Sequence, residues 1–191
     1  MNPVQILSSL PCPFFAVLDG PCGSGKTTLA AHLEQMIPNL FVVHMDDYYI
    51  PMVQKTASRL AIPGGNADSE RLLREVLEPH FAGRDAVVRP YRCHEDTFLP
   101  SWILPHNASL LLEGSYSTLP AIVSRADLSI YLTISPAEQK NRILQRDGAD
   151  SFSRYITTWI PLEEAYRSFY HLPKSDWLVL NQTELYAILK G

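Results

Sequence analysis

Residues 20–27 read Gly-Pro-Cys-Gly-Ser-Gly-Lys-Thr, the pattern G-x-x-x-x-G-K-[ST]. Small residues let a main chain wrap closely around phosphate oxygens, with its amides pointing inward. A helix that starts at the end of such a loop adds a field favourable to anions. Lys26 can reach the outer phosphates of a bound polyphosphate, and the Thr27 hydroxyl can hold Mg²⁺. The expected phosphate-binding residues are therefore Gly20, Cys22, Gly23, Ser24, Gly25, Lys26, Thr27 and Thr28. Cys22 sits where a helix N-terminus and Lys26 could lower a thiol pKa.

Other chemistry-bearing residues fall at the ends of apolar runs. Phe41–His44 runs into Met45-Asp46-Asp47-Tyr48-Tyr49, and Leu110-Leu111-Leu112 ends in Glu113-Gly114. Open α/β sheets bind ligands beyond the carboxyl ends of their strands. Asp46 there could take a proton from an attacking hydroxyl, or order Mg²⁺ through water. Glu113 fits an acidic position that holds the same cation through water. Arg142 and Arg146 lie four apart, on one face of an expected helix, where their guanidinium groups could neutralise a migrating phosphoryl group. Tyr49, Tyr91, His94 and Trp102 could line a pocket for the acceptor, aromatic faces being suited to stacking on a ring.

These residues need a scaffold, and the apolar pattern supplies one. Five short runs have the non-alternating character of strands buried on both faces: Phe14–Asp19, Phe41–His44, Leu110–Glu113, Leu128–Ile134 and Trp177–Leu180. Helices are predicted between them, over about Lys26–Met36, Asp68–Leu77, Pro136–Arg146, Pro161–Tyr170 and Thr183–Leu189. Asp68 and Ser135 are the expected caps, and Pro136 fits a first helical turn. The alternation predicts a single doubly wound α/β domain over 1–191, with a five-stranded, mostly parallel sheet flanked by helices.

Residues 48–107 break that rhythm. They hold six prolines, many aromatics and one clear helix, and they separate the second and third strands by far more than a loop. An insert of that length tends to carry function, here the binding of the acceptor. A short lid is expected over about 136–154.

Composition narrows the partners. The 191 residues carry a net charge of −4 with no block of like charges, which argues against a nucleic-acid binder. No apolar stretch is long enough to span a bilayer. The first ten residues lack Lys and Arg, and Pro11 and Pro13 follow, so no signal peptide is expected. Cys12, Cys22 and Cys93 show neither a CxxC nor a metal-ligand spacing, which suggests reduced thiols in the cytoplasm. Association into a homo-oligomer stays open.

Taken together, the motifs resemble the uridine kinase and phosphoribulokinase family of small-molecule P-loop kinases, over about Phe14 to Asn181. The resemblance rests on Gly20–Thr27, Asp46-Asp47-Tyr48-Tyr49, Arg89-Pro90-Tyr91, Glu113-Gly114, Arg142 to Asp147, Tyr155-Ile156 and Trp159 to Glu164. It implies a nucleoside-kinase-like P-loop core, ATP as phosphoryl donor with Mg²⁺, and a small-molecule acceptor bearing a hydroxyl. By match, Asp46 takes the place of the hydroxyl-activating carboxylate, Tyr49 and Tyr91 take acceptor-pocket positions, and Arg142 and Arg146 take basic positions of the lid helix. Uridine kinases grip the nucleoside with Tyr-Asp-Phe-x-x-His-x-Arg. Here that stretch reads Tyr91-Arg92-Cys93-His94-Glu95-Asp96-Thr97-Phe98, so the acceptor contacts differ. A nucleoside or nucleoside-like acceptor is the first choice. A pantothenate-like acceptor is another, and a sugar phosphate would draw on Arg59, Arg71, Arg89 and Arg92. The competing reading is a P-loop NTPase switch or nucleotide-binding regulator without an acceptor.

Overall fold

The computed structural model describes residues 2–190. A short helix α1 (Pro3–Ser9), capped by Asn2, precedes strand β1 (Phe15–Asp19). It is not among the expected helices: Asn2 and Pro3 are helix-start signals, but seven residues leave too little periodicity to mark the helix behind them. Its Leu7 is fully buried in one of the two cores. The P-loop then leads into α2 (Lys26–Met36) and β2 (Leu40–His44).

The insert follows. It begins with a tight 3₁₀ turn over Met45–Tyr48 and contains α3 (Ala57–Leu60). Next comes a helical stretch made of α4 (Ser69–Leu72), a wide turn over Leu73–Leu77 and α5 (Glu78–Phe81). Asp68 caps it as expected, accepting the Arg71 amide at 3.1 Å. The helix runs past the predicted stop because the wide turn just before Pro79 spares a carbonyl that proline could not serve. Short strands β3 (Ala86–Val88), β4 (Tyr91–Arg92), β5 (Thr97–Phe98) and β6 (Trp102–Leu104) complete the insert as two small antiparallel pairs, β3 with β6 and β4 with β5.

The chain re-enters the main sheet at β7 (Ser109–Glu113). It continues through α6 (Pro120–Val123), β8 (Leu128–Leu132), α7 (Pro136–Arg154), α8 (Ile160–Phe169), β9 (Leu178–Leu180) and α9 (Gln182–Lys190). The main sheet has five strands in the order β2-β7-β1-β8-β9, and all its pairings are parallel. The predicted strands are thus all present, with ends shifted by up to two residues.

Every residue of β1 and β7 is buried, which is why these strands read as unbroken apolar runs. Successive side chains go to opposite faces. Phe15 and Val17 join a core under the insert and α8, while Ala16 and Leu18 join a second core under α2 and α9.

Helix α7 is interrupted. Gly148 has φ 78° and ψ 171°, which ends the first run of helix, and a new one starts behind it. Another wide turn, Tyr155–Trp159, precedes Pro161 as the earlier one precedes Pro79. The expected lid therefore divides at Gly148. Residues before it pack on the P-loop with Ile143 fully buried, and those after it form a separate wall of the cleft.

Candidate functional site

Strand order brings the site together. β1 ends in the P-loop, β7 lies beside it, and β2 lies beside β7. The register pairs Glu113 with Leu18 on one side and with His44 on the other. The acid that ends β7 is thereby wedged between the P-loop and the turn that carries Asp46, at the carboxyl edge of the sheet.

The loop itself is held open for an anion. Gly20 has φ 148°, and a Cβ there would lie 2.5 Å from the Leu132 carbonyl oxygen, so only glycine fits. The outward carbonyls are each braced by a side chain. Gln139 Nε2 donates to Cys22 O at 2.9 Å. Arg142 donates to Gly23 O and Ser24 O at 3.1 and 3.2 Å, and Gln182 Nε2 donates to Ser24 O at 3.1 Å. With these carbonyls tied outward, the amides of Gly20, Cys22 and Ser24 donate to Asp19, Glu163 and Pro21, and the other loop amides are left for an anion. Lys26 Nζ, nearly buried, donates to Gly20 O at 2.7 Å and to Pro21 O at 3.0 Å.

Thr27 Oγ1 lies 3.3 and 3.4 Å from the two oxygens of Glu113, and His44 Nδ1 lies 2.5 Å from Glu113 Oε1. The hydrogen bond to Glu113 raises the His44 pKa against the effect of burial. Thr27 and Glu113 are hard oxygen donors of the kind Mg²⁺ takes. Among the described residues, no group of three or more His, Cys, Asp or Glu is placed to hold a metal. A cation here would complete its shell with phosphate oxygens and water.

Asp46 lines the same cleft, and Tyr49 donates its hydroxyl to Asp46 Oδ1 at 3.0 Å. Burial pushes the neighbouring Asp47 carboxyl up. The turn is fixed from behind by Arg71, which donates to Asp47 O at 2.6 Å. The cleft measures about 1480 Å³ and joins the P-loop, Asp46, Tyr49, Tyr91, His94, Glu113, Arg142 and Arg146. The P-loop residues and most of those expected on the acceptor side thus share one cavity.

Some residues lie elsewhere than the sequence suggested. Trp102 does not line the cleft; its ring stacks on Phe41 at 6.3 Å, against the core. Arg142 lines the cleft, but its guanidinium is taken up by the P-loop carbonyls and by Glu138 and Tyr186 at 2.8 and 2.9 Å. Arg146 pairs with Asp147 at 2.8 Å and bonds Tyr155 at 2.9 Å. The Cys22 thiol is not activated: burial, and then the Glu163 charge, push its pKa up to about 12. Arg59, Arg71 and Arg89 line a separate groove of about 490 Å³, on the far side of the Asp46–Tyr49 turn, and of the four suggested cations only Arg92 faces the cleft.

Several participants were missed. Asp19, at the end of β1, accepts hydrogen bonds from the Gly20 amide, the Thr118 amide and hydroxyl, and the Tyr166 hydroxyl. Burial raises its pKa. Gln139 and Gln182 read as ordinary polar helix residues. Only their meeting with the P-loop gives them a role, and no local pattern announces it.

No protein-family model matches the chain. A probable thymidylate kinase from Pyrobaculum aerophilum is 24% identical over 157 residues, covering 80% of each chain. Among solved structures, a possible uridine kinase from Bacillus stearothermophilus superposes with a TM-score of 0.69, at 18% identity, over 93% of this chain and 94% of that one. A D-glycerate 3-kinase from Cryptococcus neoformans var. grubii gives a TM-score of 0.60 at 14% identity, over 92% and 88%. The fold is that of the P-loop kinases. These neighbours agree with the family resemblance carried by the motifs. Their names differ in acceptor, so the shared P-loop kinase fold leaves the acceptor open.

Proposed function

We propose that the chain is a small-molecule kinase that transfers the γ-phosphoryl group of ATP to a hydroxyl of a small metabolite, a nucleoside or nucleoside-like compound being the first choice. The observation that supports it most is the placement of Asp46. Its carboxylate is oriented by Tyr49, at the edge of the cleft that also holds Lys26, Thr27 and Glu113.

In this reading the P-loop amides and Lys26 hold the triphosphate. Thr27 and Glu113 would hold Mg²⁺, which would neutralise charge on the phosphates. Asp46 takes the proton of the acceptor hydroxyl while its oxygen bonds to phosphorus and the bond to the β-phosphate oxygen breaks, leaving ADP. Arg142 acts by bracing the loop, and Arg146 is the cation of the pair left on the cleft wall for the migrating charge. Tyr49, Tyr91 and His94 shape the acceptor side. Catalysis of this kind is mostly positioning and electrostatics. Among the described residues no helix is long and apolar enough to cross a membrane, in keeping with a metabolic enzyme of the cytoplasm.

The test is to incubate the protein with Mg-ATP and a panel of nucleosides, vitamins, hydroxy acids and sugars, and to measure ADP release. Release that depends on one acceptor class supports the kinase and names its substrate. Release independent of every acceptor turns the reading to an NTPase switch.

A further inference from the structure

Helix α8 reaches into the phosphate loop through a residue given no role so far. Glu163 stands in its first turn. One carboxylate oxygen accepts the Cys22 amide at 2.8 Å, and the other accepts the Ser115 hydroxyl at 2.6 Å. Ser115 Oγ lies 3.5 Å from Lys26 Nζ. A single negative group thus sits at an amide of the loop and one hydroxyl away from the loop's lysine. In such a loop the amides cradle the inner phosphates of a nucleotide, and the lysine reaches the outer ones. Glu163 lines the same cleft as Tyr49 and Tyr116.

The mechanical setting matters as much. One turn further along α8, the Tyr166 hydroxyl donates to Asp19 Oδ2 at 3.0 Å and meets Thr118 Oγ1 at 2.8 Å, all buried. That is a fixed anchor on β1. Upstream, the Gly148 break has open space around it: a Cβ there would meet nothing within 4 Å. The cleft wall over 149–159 runs between this break and the Glu163 contact, and Asp150, Arg154, Tyr155 and Trp159 all face the cleft from it.

We propose that Glu163 distinguishes a bound triphosphate from a diphosphate: its carboxylate holds the Cys22 amide and, through Ser115, faces Lys26, and the terminal phosphate of the donor displaces it, releasing the wall over 149–159 to close on the acceptor. Two anions at one amide, a hydroxyl away from one ammonium, repel in a partly desolvated cleft. A diphosphate ends deeper in the loop and leaves the carboxylate where it is. Closure would then follow only when there is a phosphoryl group to transfer. The proposal rests on the P-loop being a nucleoside triphosphate site.

Calorimetry of the full chain with ADP and with a non-hydrolysable ATP analogue, for wild type and Glu163→Gln, tests it. The amide keeps the shape and one acceptor oxygen but removes the charge. The variant should bind the triphosphate about ten-fold more tightly, the size of one charge-assisted hydrogen bond, and ADP within about two-fold of wild type. An unchanged ratio of the two affinities overturns the proposal. A wild-type protein that binds neither nucleotide overturns the P-loop reading instead. Hydrogen exchange on the wild type needs no variant to fold. Protection over 149–159 should rise with the triphosphate analogue and not with ADP, and equal protection with both nucleotides refutes the device.

Discussion

The two sides of the cleft are built on different principles. The phosphate side is main chain: a loop between a fully buried strand and a helix, its carbonyls tied outward by Gln139, Arg142 and Gln182. The proposed acceptor side rests on side chains: they hold together a four-residue turn, two antiparallel strand pairs of two or three residues per strand, and a broken helix. A single buried arginine gathers them. Arg71 donates to Asp47 O and Arg89 O at 2.6 and 2.8 Å, pairs with Asp68 at 3.3 Å, and lies over the Tyr48 ring at 4.2 Å. A grip made by backbone geometry survives most substitutions, whereas one made by side-chain ties can be rebuilt for another ligand. The difference teaches where this fold can change its acceptor while keeping its donor.

The largest effects should come from severing each side at its chemistry. Lys26→Ala should lower turnover by at least about 100-fold, through lost electrostatic stabilisation of the phosphates. Asp46→Asn should lower it by at least about 100-fold, by removing the proton acceptor, with nucleotide affinity unchanged. Steady-state kinetics with a verified acceptor, beside nucleotide titration, reads both. Wild-type turnover in Asp46→Asn would take that residue out of the chemistry. Loss of nucleotide binding in the same variant would show that the two sides are not separable.

Next in size is the tie itself. Arg71 has a side chain only 5% exposed, between Asp68 and Glu75. Arg71→Met strands Asp68 and leaves Glu75 to Arg89 at 2.6 Å, and it should cost about 3 kcal/mol in urea unfolding, the lower end of the scale for breaking a buried ion pair. A loss below about 1 kcal/mol would mean that packing, not this residue, holds the acceptor side. Smaller again is Gly148→Ala. Its φ of 78° disfavours a side chain although the space is open, so a cost of roughly 1–2 kcal/mol is expected. Acceptor KM and kcat should move together by a few-fold, while a distortion confined to the P-loop would change nucleotide affinity.

The same contrast decides what could be read in advance. The phosphate side was legible because its signals are local: eight residues of loop, an apolar strand before it, a helix after it. The placement of Glu113 and Asp46 at the carboxyl edge of the sheet was legible because strand ends have a known place in such sheets. The insert was recognised only as an insert, since two- and three-residue strands such as Tyr91–Arg92 and Thr97–Phe98 leave no periodicity. Trp102 was misplaced because an aromatic in an insert looks the same whether it meets a ligand or, as here, Phe41. Glu163 and Gln139 were invisible as participants, because their partners are 141 and 117 residues away along the chain. The Cys22 thiol was misjudged for the same reason, since Glu163 and burial outweigh the nearby Lys26.

The mildest expected effect also separates the two sides, through pH. His80, in α5 of the insert, is 6% exposed, and its Nδ1 is buried without a hydrogen-bond partner. Burial, and then the charge of His106, hold its pKa below the ordinary value of 6.5. The folded protein therefore resists a proton that the unfolded chain accepts. His80 costs nothing above about pH 6.5, and stability falls as pH drops below it, because the unfolded state then binds more protons. Thermal melts at pH 7.5 and 5.5 should show a larger loss in wild type than in His80→Phe, whose ring fills the site without titrating. His44 works in the opposite direction, its pKa being raised by Glu113, so the difference between the two proteins isolates His80 from it. An identical acid loss in both would mean that His80 is hydrated in the folded protein. A smaller loss in the variant would place the acid-sensitive element on the acceptor side of the cleft, away from the phosphate loop.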